Sequence, residues 1–160
     1  MKIELEKLED LSGKQASIYS VKLDDDDLNL FEHFMEENDE LYSDEIDDIY
    51  LTLEDIGSDT GAREQLFKHE SSPPDGVGAL YDKKRAKLRL YCIRYGNDIV
   101  ILGNGGRKTT RTYQEDPKLN GHVELMAKIS DGIKENITSK LSNNRLVFEG
   151  SLTFNISNDE

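Results

Sequence analysis

The sequence predicts an α+β domain, with an antiparallel sheet of about four strands packed on two N-terminal helices, a further helix after the sheet and an extended C-terminal tail. Three observations carry that expectation. Apolar residues recur at three and four between 26 and 57, the spacing of an amphipathic helix. They alternate with other residues over 88–95, turn at Gly96-Asn97-Asp98, and return as the aliphatic run 99–102, the signature of a hairpin. Helical spacing resumes after Asp116-Pro117, a pair suited to the start of a helix. A length of 160 residues fits one domain of ordinary size, placed here at 1–137, with 138–160 as a C-terminal extension.

Each element follows from its residues. Over 15–23, Ile18, Val21 and Leu23 are apolar among polar neighbours and predict a strand. Asp24 to Asp27 suit the start of a helix, where carboxylates accept from free N–H groups. That run lacks the alternating ligands, glycine turn and closing Glu of a calcium loop, so no metal is expected. Leu28, Phe31, Phe34, Met35, Leu41 and Tyr42 predict a helix over 26–42. Ser43 then caps a second, with Ile46, Ile49, Tyr50 and Leu53 on one face and Gly57 near its end, the two forming an antiparallel hairpin.

Residues 61–72 read as a short helix or an extended connection, and Ser71 to Gly76 as a loop by turn chemistry. A short strand over 77–81 leads into the hairpin. Val123, Met126, Ile129, Ile133 and Ile137 supply the apolar face of the last helix. The tail over 145–156, with Leu146, Val147, Phe148, Leu152, Phe154 and Ile156, reads as extended or hairpin and requires a sheet edge or another molecule to cover it.

Composition excludes several classes. Hydrophobic residues make up 36%, which with seven Tyr and five Phe still supports a folded core. The longest aliphatic run, Ile99 to Leu102, is too short to span a bilayer. The charged start, Met1-Lys2-Ile3-Glu4, lacks the apolar centre of a signal peptide. A single cysteine, Cys92, forms no internal disulfide, shares the Leu88 and Leu90 face, and reads as buried. A cytoplasmic location, no cofactor and no membrane are the resulting expectations, and the sequons at Asn136 and Asn155 carry no weight there.

Net charge is −13, but its distribution says more. Residues 1–60 carry −16, residues 61–114 carry +6, and residues 115–160 carry −3. Within 83–111 nine cations, Lys83, Lys84, Arg85, Lys87, Arg89, Arg94, Arg107, Lys108 and Arg111, face one acid, Asp98. Such a stretch either grips phosphates or lies against the acidic helices, for example with Arg89 and Arg94 paired to Glu45 or Asp48. The run Gly103-Asn104-Gly105-Gly106 fits neither a P-loop nor a dinucleotide fingerprint. It reads either as a wide turn leaving a strand or as a backbone nest for phosphate.

This order resembles the RelE/ParE/HigB superfamily of toxin components, over about residues 15–135. The resemblance is strongest in the strand opening Leu88-Arg89-Leu90, the turn Gly96-Asn97-Asp98, the aliphatic strand 99–102 and the basic exit Arg107-Lys108-Thr109-Thr110. It implies a sheet that cradles RNA in the ribosomal A site and an mRNA endonuclease in which a 2′-hydroxyl attacks the adjacent phosphate. A cognate antitoxin and the ribosome with its mRNA would be the partners. Such chemistry needs fixed cations around the developing phosphorane charge and a group that moves protons. By the resemblance, Arg89, Arg107 and Lys108 match the family's basic strand and exit. Tyr113 lies near a place where some members carry a catalytic side chain, with Tyr95, His122 and His69 as other proton carriers. Lys83, Lys84, Arg85, Lys87, Arg94 and Arg111 would hold RNA. Two further readings are a non-catalytic protein-binding module and a ParE-like gyrase inhibitor.

Overall fold

The computed structural model describes residues 1–69, 76–80 and 87–157. Asn29 opens the long helix α1, Leu30–Asp55. Its side chain accepts the Glu32 N–H at 2.8 Å and Glu32 Oε1 accepts the Asn29 N–H at 2.9 Å, so two orphan donors are satisfied reciprocally. Only Tyr42 leaves helical geometry, at φ −134° and ψ 37°. The two helices expected over 26–57 are therefore one kinked helix, and no hairpin forms. Ser43 continues past the kink instead of starting a new helix.

Around it run β1 (Lys2–Lys7), β2 (Ser17–Leu23), β3 (Phe67–His69), β4 (Val77–Leu80), β5 (Leu88–Tyr95) and β6 (Ile99–Arg107). Helix α2 (Pro117–Asn136), β7 (Thr138–Ser142), β8 (Arg145–Glu149) and β9 (Thr153–Asn155) complete the described elements. Among the described residues the main sheet has seven strands in the order β3-β4-β5-β6-β2-β1-β9, and β7-β8 form a separate pair.

This overturns the expected four-stranded antiparallel sheet on two N-terminal helices. The sheet is mixed, because β2 runs parallel to β6 with Ser17 opposite Ile99 and Ser20 opposite Leu102. Parallel pairing requires a long connection, and the helix and three strands between β2 and β6 supply it. Strand β1 was not anticipated; Ile3 and Leu5 alternate there with charged residues, and both are buried.

Both faces of the sheet are covered. On one, Phe31, Phe34, Ile46, Ile49 and Leu53 of α1 meet Ile18, Leu88, Leu90, Cys92, Val100 and Leu102. On the other, Leu119, Val123, Met126, Ile129 and Ile133 of α2 meet Tyr19, Val21, Tyr91, Ile93, Ile99 and Ile101. The near-continuous apolar character of β5 and β6 is what a doubly covered sheet demands. The open face expected to cradle RNA is the one α2 occupies.

The C-terminal strands close over the α2 side. Asn143 and Asn144, at φ 53° and 64°, make the tight turn of the β7-β8 hairpin. Phe148 packs 5.3 Å from Tyr19 and 5.8 Å from Tyr95, centroid to centroid. Arg145 ties the hairpin down by donating to the carbonyls of Gly13 and Lys14 and to Ser17 Oγ. Strand β9 pairs with β1, and its Phe154 packs on Gly132 of α2.

Candidate nucleic-acid interface

Strand β6 runs straight through the glycine-rich segment to Arg107, so Gly103 to Gly106 are neither a wide turn nor a nest. Packing explains the glycines. A Cβ on Gly103 would stand 2.6 Å from Met126 Sδ, so the bare backbone lets α2 come close. A Cβ on Gly105 would stand 1.8 Å from the Arg89 carbonyl oxygen, where the β5-β6 register shifts between Leu90 and Cys92.

That register sets the site. Arg107 lies opposite Leu88, Gly106 lies opposite Arg89, and the Lys108 N–H donates to the Lys87 carbonyl at 2.9 Å. Lys87, Arg89, Arg107 and Lys108 therefore gather at one end of the sheet. Arg111 sits in the connection that leaves it, and Lys118 reaches it from the first turn of α2, its Nζ 3.5 Å from where a Cβ on Gly106 would be. Lys87, Arg107, Arg111 and Lys118 are exposed, and none of the four forms an ion pair among the described residues. Arg89 is half-buried on the α2 face and donates to the Leu88 carbonyl. Glu45 Oε1 accepts from the Lys87 backbone N–H, so this carboxylate of α1 caps the ribbon's edge.

The other predicted residues fall elsewhere. Arg94 stands at the far end of β5, where Nε donates to the Ala62 carbonyl and the guanidinium to Asn97 Oδ1 at 2.9 Å; it ties a loop to the sheet. Tyr113 is buried, its ring edge-on to Tyr91 at 6.4 Å, and Tyr95 is engaged with Phe148. Lys83, Lys84 and Arg85 lie outside the described residues, as do the side chain of His69 and the predicted loop over 71–75. Cys92 is fully buried, and burial pushes its thiol far above the usual range, which removes it as a nucleophile. Among the described residues no group of His, Cys, Asp and Glu is arranged to hold a metal.

Three further side chains come together where β6 passes between the helices. Asn104, buried, donates toward Glu37 Oε1 of α1 at 3.4 Å and accepts the Gly105 N–H at 2.7 Å. On the α2 side stands His122, whose Nε2 is buried and has no hydrogen-bond partner among the described residues. Burial holds its pKa below the ordinary 6.5, and the Lys118 cation adds to this, while Glu37 and Asp116 oppose it. Its neighbours Glu37 and Lys118 were not singled out by sequence. Their only local trace is a polar residue, Asn104, in the middle of a glycine run, because the helix–strand–helix stacking that joins them is non-local.

No helix among the described residues is long and apolar enough to cross a membrane. Comparison with protein-family models, with curated proteins and with solved structures gives no match, so the function must be argued from the chemistry of this site.

Proposed function

We propose that this chain is a toxin-type RNA-binding protein that cleaves mRNA, and that the Arg107 end of the β5-β6 ribbon takes the phosphate backbone. The carrying observation is the gathering of Lys87, Arg107 and Lys118 beside Arg89 and Lys108, with Arg111 in the connection that follows; Lys87, Arg107, Arg111 and Lys118 form no ion pair among the described residues, in a protein of net charge −13. Such a local cation cluster binds a polyanion against a repulsive overall field, because screening confines the field to about 10 Å at 0.1 M salt. With α1 and α2 over the two faces, RNA meets the end of the sheet and not its surface. Guanidinium groups suit the task, since their planar forks donate to two phosphate oxygens at once.

Proton transfer falls to His122 in preference to Tyr113. The His122 ring is half-buried and neutral at pH 7; with its Nε2 enclosed, a proton from a 2′-hydroxyl would go to Nδ1, whereas Tyr113 is buried against Tyr91. Induced expression should arrest growth, and mRNA in a ribosome-containing translation assay should be cut. Arg107→Ala with Lys108→Ala should relieve both. The same double change should flatten the salt dependence of single-stranded RNA binding by about 1.4 in log–log slope, two phosphate contacts at about 0.7 each. A harmless wild type that leaves mRNA intact refutes the proposal.

A further inference from the structure

A groove of about 310 Å³ lies between the β1-β2 connection and α1, away from the residues of the RNA proposal. Its floor is apolar and aromatic: Phe31 is buried, and Met35 and Tyr50 are half-buried. Its rim is acidic. Glu6 is already engaged, by Lys22 at 3.5 Å and by Asn29 Nδ2 at 2.8 Å, and Glu9 has Lys7 at 3.9 Å. Asp10, by contrast, has no cation partner among the described residues, and neither has Glu54, which stands near Tyr50. Burial pushes the Tyr50 hydroxyl above its usual pKa, and the carboxylates of Asp10 and Glu54 push it further.

An aromatic ring, a thioether and the Asp10 carboxylate line one concavity, and Glu54 lies one helical turn on from Tyr50, beyond the lining; together they suit a cation on an aliphatic stem. The stem lies on Met35 and Phe31, and a planar cation stacks on Tyr50 while donating to the carboxylates. The long negative run of α1, with no Lys or Arg from 30 to 55, further favours a basic over an acidic visitor.

We propose that this groove is a docking site for an arginine side chain presented by an amphipathic segment of another protein. It is independent of the RNA reading, since none of the residues named here belongs to the cation cluster.

The test uses the full chain and a synthetic amphipathic peptide with two arginines four residues apart, flanked by leucine and alanine, against the same peptide with citrulline at both positions. Citrulline keeps the shape and removes the charge. Binding is followed by the methyl signal of Met35 and the ring signals of Tyr50. The arginine peptide should shift both and bind about tenfold more tightly than its citrulline twin, as expected when a charge-assisted contact is lost. Asp10→Asn with Glu54→Gln should weaken it by about tenfold, while Asp39→Asn with Glu40→Gln, the same charge removed from the exposed side of α1, should change it less than about twofold. RNA binding should be the same in all three proteins. Equal losses in the two double variants would show only a diffuse acidic field and overturn the proposal. So would an equally tight citrulline peptide, unmoved Met35 and Tyr50 signals, or no binding at millimolar peptide.

Discussion

Adding one methyl group at Gly105 tests the geometry that aligns the cation cluster. An alanine Cβ there would stand 1.8 Å from the Arg89 carbonyl oxygen and 2.8 Å from its carbonyl carbon. Both are backbone atoms, so no side chain can swing aside, and β5 must part from β6 near the Leu90–Gly105 pair. Losing two ladder hydrogen bonds costs about 1 kcal/mol each, and overpacking adds about 1–3 kcal/mol. Gly105→Ala should therefore destabilise the fold by about 3–5 kcal/mol. For a chain of this size each kcal/mol moves Tm by about 2–4 °C, so the midpoint should fall by roughly 6–20 °C. Gly121→Ala is the matched control. Gly121 lies inside α2, nothing stands within 4 Å of the added methyl, and helix propensity should raise stability by about 0.5–1 kcal/mol. Thermal and urea unfolding of the two variants, with opposite signs for one chemical change, decide the matter. A Gly105→Ala protein within about 1 kcal/mol of wild type would refute the strand-through-glycine geometry.

Further expectations concern His122 and Arg145. Because the folded His122 pKa lies below the unfolded 6.5, the unfolded chain binds the proton more readily, so stability is highest above that value and declines as pH falls below it. The wild type should lose more stability than His122→Gln between pH 7.5 and 5 in urea melts; parallel pH profiles would contradict this. Arg145→Ala strips donors from the carbonyls of Gly13 and Lys14 and from Ser17 Oγ, at about 1–2 kcal/mol because water reaches part of the site. Amide exchange in 138–149 should accelerate, and unchanged protection there would show that the aromatic contacts of Phe148 suffice.

Local chemistry made some of this structure readable. Asp116 caps α2, accepting from the Lys118 and Leu119 N–H groups, with Pro117 at the first helical position, which is a signal carried by adjacent residues. The return at Gly96 is likewise local, with Gly96 at φ 57°. The failures are non-local. Nothing within β2 announces that its neighbour is β6, almost 80 residues on, or that they run parallel. The kink at Tyr42 looked like two helices because a serine and acids follow it, and these tolerate a helix interior as well as a cap. At the site, Arg107 and Lys108 were visible as a charge run. The meeting of Glu37, Asn104 and His122 depends on which residue of each helix lies over β6, and that is decided by Met126 and Leu119 fitting above Gly103 and Gly106.

The double covering of the sheet has a consequence for fidelity. Along β5, Leu88, Leu90 and Cys92 enter one greasy interior while Tyr91 and Ile93 enter the other. In a one-sided sheet, slipping by a residue would drag polar groups inside and be rejected at once. Here a slip merely trades one oily compartment for another, so hydrophobicity barely polices it. What locks the frame are the sites that tolerate no exchange: the missing side chain at Gly105 and the two arginines, Arg89 and Arg94, that must emerge near opposite tips of the strand. Substitutions at those few positions should produce misaligned, sticky chains rather than simply weaker ones.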